Sequence, residues 1–466
     1  MNIEPQINTQ LATPMMQVSI ENFGPIRYAC YTINDLTLIF GANNMGKTYA
    51  TYAFYGFLDY WNSGIKFPID KKLVSDLLSN HYVSIEIKKF CDNSSKILEH
   101  ISNAYSNSRI LAQVFGTSPK KFEKASFRLS IPKLRCLEKY SCSFSKNKDK
   151  FITVILEDGK LKITLNLNGG GEPPPTSFLE HIICDSIKDA VFGAFFNNVY
   201  IACAERTGAV IFQKELDFTR NRIVDILKNE PDKNLSPFSF LESFSSNYPI
   251  SIKRDVDVIR EASSEQDESE LFKSAKGKDR EANIAQLVLS IFGEIIGGSY
   301  KISKDGTVRY IPVNSRSLKL DMVESSSSIR GMLHLCIYLF YRARKGDFLI
   351  IDEPEQNLHP ENQRRMARLI ALLINWGIKV FITTHSDYIV RELNALIILN
   401  TTCDESKKIL QDEGYDINET ISHTCVSAYI AKRAQVSCPG QKRKVTCNTL
   451  NKVNITSCDG IDAENF

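Results

Sequence analysis

The chain has 466 residues, of which 43% are hydrophobic and 24% charged, with a net charge of +3. That length is too great for one ordinary core, so two domains, or one domain with a large insertion, are expected. The composition excludes a disordered chain and is that of a soluble globular protein, and so small a net charge gives no compositional case for nucleic-acid binding.

Residues 16–23 (MQVSIENF) alternate as an edge or half-buried strand does, and Gly24-Pro25 turns the chain. Residues 36–40 (LTLIF) read as a buried strand. They run into Gly41-Ala42-Asn43-Asn44-Met45-Gly46-Lys47-Thr48, which is G-x-x-x-x-G-K-T between a strand and a helix, the setting a P-loop requires. Gly41 and Gly46 permit backbone geometry that points successive N–H groups, Asn43 and Asn44 among them, at phosphate oxygens. Lys47 sets a point charge against the β- and γ-phosphates, Thr48 offers a hydroxyl to Mg²⁺, and the helix from about Thr48 aims its positive end at the same anion.

About 300 residues separate this loop from the next motif, far more than a minimal P-loop core needs. Residues 73–111 read as helical around a short strand at 82–87, and residues 127–167 as strands with a hairpin turn at Asp158-Gly159. The cluster GGGEPPP at 169–175 marks a loop, followed by a helix over 177–196 and a strand over 199–202. Residues 215–296 read as helices interrupted at Pro231, Pro237 and Pro249, and the polar segment 263–279 is expected to be mobile or exposed. Strand character returns over 300–320, with a turn at Asp305-Gly306.

Ser325 to Ser328 precede a helix with Ile329, Met332, Leu333 and Cys336 on one face, and serine suits an N-cap. Residues 348–351 then form an apolar run that ends on Asp352 and Glu353, as a buried parallel strand does at the sheet edge where ligands bind. Pro360 opens a helix bearing Met366, Leu369, Ile370 and Leu373. A second apolar strand, 380–383, delivers His385 to the same edge. The chain thus divides into 1–62 with the P-loop, an α+β region over 63–296 and a C-terminal part over 297–466.

The basic tract Lys432, Arg433, Lys442, Arg443 and Lys444 and the acidic run 261–270 read as solvated surface. Twelve cysteines include no CxxC pair and no zinc spacing, so reduced thiols are expected. With no signal peptide and no apolar run of about 18 residues, a cytoplasmic location is expected and a membrane is not.

In combination the pieces IENFGPI, LTLIFGANNMGKT, SSSSIRGMLHL, FLIIDEPEQNLHP and ITTHSDYIVRELN resemble the ATP-binding-cassette (ABC-type) P-loop ATPases of the SMC, RecF and OLD kind. The resemblance implies an α/β ATPase head with a large, mostly helical insertion, using ATP and Mg²⁺. It implies Asp352 as the Walker B metal residue, Glu353 as the base that polarises water, and His385 as the switch histidine. It also implies Gln356-Asn357-Leu358 as a D-loop and Ser326, Ser327 and Ser328 as the signature segment of a partner subunit's site. Ser328 stands where the family pattern has glycine, and either Ser326 or Ser327 then reaches the nucleotide. The stretches DEPEQNLHPENQ, THSDYIVRELN and YIACAERTG are further similar to the ATPases of bacterial anti-phage operons, above all the PARIS sensor ATPases and less closely the Septu ATPases. That similarity implies a homodimer or higher even oligomer with ATP between subunits, a separate Toprim-type nuclease effector, and a phage protein as trigger. The alternatives are a DNA-repair or chromosome-structure ATPase stimulated by DNA, and a transporter ATPase.

Overall fold

The computed structural model describes residues 15–63, 65, 70–131, 134, 137–146, 149–166, 174–213, 248–264, 267–303, 306–315, 317–400, 404–439 and 443–462. The loop at 169–173, Pro231, Pro237, Asp305 and Lys442 lie outside the described residues. The chain forms two compact units, one of residues 1–17, 57–105 and 128–198, the other of 18–56, 106–127 and 199–466.

In the first unit four antiparallel strands run in the order Tyr82–Glu86, Lys160–Leu165, Asp149–Glu157, Tyr140–Lys146. Asp158 (φ 51°) and Gly159 (φ 72°) close the hairpin with both central residues at positive φ, the geometry that matches strand twist. Val83 and Ile85, Ile152 and Val154, and Leu161 and Ile163 alternate onto the buried face. Trp61 meets Phe192 and Phe196 with ring centroids 5.1 and 4.4 Å away, and Tyr140 donates to Asp189 at 2.9 Å.

The second unit is built on a nine-stranded sheet. Its order is Ser126–Ser130, Met16–Phe23, Ile26–Ile33, Val445–Lys452, Val426–Val436, Leu36–Gly41, Lys379–Thr384, Phe348–Asp352, Val199–Ala202. The last five pair in parallel. Their register sets Asp352 opposite Thr383, Thr384 opposite Phe40, and Gly41 opposite Ala431, so one carboxyl edge collects the polar residues. Phe348–Asp352 is buried at every position, as the continuous apolar run requires of a strand covered on both faces. Helices Arg280–Ile296 and Pro360–Trp376 pack together beside it.

The α/β class is as expected, while several local features differ. The segment 263–279 is not simply an exposed stretch. Ser269 caps the short helix Glu270–Ser274 and donates to Leu339 O at 2.6 Å, and Leu271 is fully buried in the core. The alternation at 16–23 continues into a second strand, Ile26–Ile33. Arg433, Arg443 and Lys444 are exposed, as expected of solvated surface, although Lys432 and Arg433 lie on a sheet strand that is buried over its first six residues. Nine cysteines, including Cys203 and Cys336, form no disulfide among the described residues, but Cys91 is disulfide-bonded, contrary to the expectation of reduced thiols. Among the described residues no helix is long and apolar enough to cross a membrane.

Candidate functional site

The loop after Leu36–Gly41 bends through three positive φ angles, at Gly41 (131°), Asn44 (64°) and Gly46 (99°). A Cβ at Gly41 would sit 2.6 Å from Ala431 O, and one at Gly46 would sit 2.5 Å from Ile26 Cγ1, so only glycine passes at both points. The turn therefore exists because two glycines permit both the backbone and the packing. Helix Lys47–Ser63 begins as the loop ends. Asn43 and Asn44 are exposed, and Thr48 is half-buried at the helix start.

Lys47 is buried, and its ammonium donates to Gly41 O and Ala42 O, each at 2.9 Å. Burial pushes its pKa down while the nearby Glu353, Asp352 and Glu355 carboxylates push it up. The same Nζ lies 3.2 Å from His385 Nδ1, and His385 Nε2 lies 3.2 Å from Glu353 Oε1. With the ring proton on Nε2, Nδ1 accepts from Lys47 and Nε2 donates to Glu353; Nδ1 also lies 3.1 Å from Gly41 O, a contact that needs a proton on Nδ1 instead. The His385 backbone N–H donates to Glu355 Oε1 at 2.6 Å, which pins the residue just past its strand.

Asp352 is 1% exposed. The Thr383 hydroxyl donates to Oδ1, whereas Oδ2 is buried with no protein partner. Burial pushes the carboxyl up to about 6; the Thr383 hydrogen bond opposes the rise and neighbouring Glu353 adds to it. Glu353 itself adopts φ 52°, a left-handed conformation that costs a non-glycine residue energy. Its N–H donates to Thr383 O at 3.0 Å. The next turn follows with Gln356 N–H on Glu353 O at 3.1 Å and Asn357 at φ 60°.

Ser326 caps helix Ser327–Ile337, accepting from Ile329 N, and its hydroxyl lies 2.8 Å from Ser328 Oγ. The Arg330 guanidinium closes the turn on Ser325 O. Ser326 is exposed, and Ser327 and Ser328 are half-buried. The structure therefore brings Lys47, Asp352, Glu353 and His385 together at one edge. It gives the three serines no hydrogen bond to any of those four.

Sequence reasoning missed Thr383, Glu355 and Arg206 as parts of this edge. The buried Arg206 donates to Asp352 O and Glu353 O, each at 2.8 Å. The one available signal was CAERTG, a charged pair directly after an apolar strand. Beside the loop, Asn22, Arg27, Lys120, Lys121 and Lys124 line a cavity of about 340 Å³, whose wall at Ile26 also touches Gly46. Among the described residues no group of three or more His, Cys, Asp or Glu side chains forms a metal site.

The family model of the AAA ATPase domain, AAA_15, matches residues 15–286 and 262–390. Among solved structures the chain is similar to an SMC head domain from Thermotoga maritima at 11% identity, with 95% of this chain and 100% of that one covered and a TM-score of 0.31. It is likewise similar to an Smc head domain with an extended coiled coil, bound to the C-terminal domain of ScpA and derived from Pyrococcus furiosus (13% identity, 84% and 92% covered, TM-score 0.30). A third is an SmcHead bound to the C-winged helix domain of ScpA (11%, 93% and 98%, TM-score 0.32). No curated protein matches the chain.

Proposed function

The chain belongs to the AAA_15 family of AAA ATPase domains and is an ATP-hydrolysing enzyme, and from that premise we propose that it is an ABC-type ATPase whose nucleotide joins two copies of the chain. The observation that carries this reading is the meeting of Lys47, Asp352, Glu353 and His385 at the carboxyl edge of parallel strands. ATP is the substrate. Gly41, Asn43, Asn44 and Gly46 supply backbone N–H groups to its phosphates, and Lys47 exchanges two loop carbonyls for phosphate oxygens.

The donors present fit Mg²⁺. Asp352 offers a buried carboxylate oxygen with no protein partner, and Thr48 a hydroxyl at the helix start; hard oxygen ligands are what this cation takes. Once bound, the cation neutralises charge on the phosphate oxygens. Glu353, about one-third exposed, orients the attacking water and receives its proton. His385 holds Glu353 through Nε2 and reads the γ-phosphate from the Lys47 side. Ser326, Ser327 and Ser328, at a helix N-terminus with no bond to their own site, face the nucleotide held by the other copy.

In this reading ATP holds two subunits together and hydrolysis releases them, a switch whose states differ in their contacts to the γ-phosphate. The similarity of YIACAERTG, DEPEQNLHPENQ and THSDYIVRELN to anti-phage ATPases supports a sensor or scaffold that holds a separate nuclease and frees it on a phage cue. Light scattering on wild type and Lys47→Ala with and without ATP and Mg²⁺ tests the core of the proposal. Wild type doubles its mass with nucleotide and Lys47→Ala does not; a wild-type protomer that stays single at saturating nucleotide overturns the joining role. A nuclease that co-purifies supports the defence role, whereas stimulation of turnover by duplex DNA favours the repair reading.

A further inference from the structure

Arg206 is 1% exposed, and a guanidinium so deeply buried is tolerated only when its donors are met. Its Nε donates to Gly331 O at 3.2 Å, Nη1 to Cys203 O at 2.9 Å and Asp352 O at 2.8 Å, and Nη2 to Glu353 O at 2.8 Å. These carbonyls belong to three separate pieces of chain: the turn after Val199–Ala202, the end of Phe348–Asp352, and the helix Ser327–Ile337. Only a planar fork reaches all of them at once, because an ammonium is a single point of charge on a flexible stem.

Two of the four acceptors are the consecutive carbonyls of the metal residue and the base. Glu353 is left-handed at φ 52°, a conformation that persists only where its surroundings enforce it. Thr383 O holds its N–H, and Arg206 holds its carbonyl. Held at both ends, the peptide presents the carboxylate to His385. The third piece is the helix that the serine run opens, tied in through Gly331 O. A Cβ at Gly331 would stand 3.4 Å from Thr207 Oγ1 and 3.8 Å from Arg206 Nε, so the helix backbone rides directly on this arginine.

We propose that Arg206 is a positioning residue for hydrolysis: it fixes Glu353 in its active backbone conformation and couples that conformation to the helix carrying Ser326 to Ser328, so that a displacement of the helix is felt at the base. The inference rests on the reading of Glu353 given above and names a residue through which that site is regulated. No covalent step involves Arg206. Its hydrogen bonds go to main-chain carbonyls, and its effect passes through Glu353.

The test measures ATP binding and steady-state turnover for Arg206→Lys, Glu353→Gln and the double variant in the full chain. Arg206→Lys is expected to bind ATP as wild type does, with KM little changed and kcat lower by about tenfold or more, and the double variant to lose no more than Glu353→Gln alone. Arg206→Lys with wild-type kcat, or with binding and turnover lost together, overturns the positioning role. Wild-type turnover in Glu353→Gln overturns the underlying reading instead, and the inference with it. If Arg206→Lys does not fold, Gly331→Val decides: it keeps the charge and presses methyl groups toward Thr207 and Arg206, and lowered kcat with retained binding supports the coupling, whereas unchanged kcat overturns it.

Discussion

His385 Nε2 lies 3.2 Å from Glu353 Oε1, and the other nitrogen of the same ring lies 3.2 Å from Lys47 Nζ, so one imidazole bridges the loop ammonium proposed to bind phosphate and the proposed base. Glu353→Gln keeps a hydrogen-bonding side chain of nearly the same shape but cannot take a proton. It is expected to retain ATP and to lower turnover about 10²-fold or more, since general-base catalysis contributes about that much. Nucleotide content by chromatography and single-turnover hydrolysis check this, and wild-type turnover removes Glu353 from its role.

Lys47→Ala removes the ammonium that donates to Gly41 O and Ala42 O and leaves both loop glycines in place. Binding of ATP, followed by calorimetry, is expected to weaken about 10²-fold or more, as loss of a partly buried charge-assisted contact implies.

Asp352 gives a prediction about stability and pH. Burial has raised its carboxyl from 3.8 to about 6, with Thr383 opposing and Glu353 adding. A raised acid contributes its full stability below the unfolded value near 4 and loses it as pH climbs through about 6. At about 1.4 kcal/mol per pKa unit, the ionised carboxylate costs the metal-free fold on the order of 2–3 kcal/mol at neutral pH. Asp352→Asn, measured by denaturant unfolding without Mg²⁺, should therefore be more stable than wild type at pH 7.5 and equal to it near pH 4. The same variant should lose metal-dependent turnover.

A mixing experiment tests the shared site. Lys47→Ala supplies intact serines, and a Ser326→Ala/Ser328→Ala variant supplies an intact loop. Each alone should be inactive, whereas an equimolar mixture of exchanging dimers should recover about a quarter of wild-type turnover, because half the dimers are mixed and each has one whole site. A mixture that stays inactive sinks the two-copy arrangement. Loss of the Ser326 cap alone should cost the helix about 1 kcal/mol, too little to unfold the chain.

The loop, the acidic strand and the histidine were legible because each is a local pattern whose geometry follows from a few adjacent residues: two glycines that only glycine can replace, and an apolar run ending in acids. Arg206 was not legible, since three of its four partners lie 125, 146 and 147 residues away and all four are backbone carbonyls, which carry no residue identity. The strand Val426–Val436 was hidden for another reason. Lys432 and Arg433 made its second half look like solvated surface, although Val426 to Ala431 are buried between neighbouring strands. In the polar segment 263–279, composition concealed a buried serine and leucine whose role depends on Leu339 and the core. Pairing across distance, and not local propensity, decided each of these cases.

Val426–Val436 lies directly against the phosphate-loop strand, close enough that Ala431 leaves no room for a side chain at Gly41. The two strands lie some 380 residues apart in the chain, so the loop strand gains this neighbour only through a pairing of distant segments. A chain truncated before residue 426 would leave that edge of the loop strand unpaired and open to pairing with another chain.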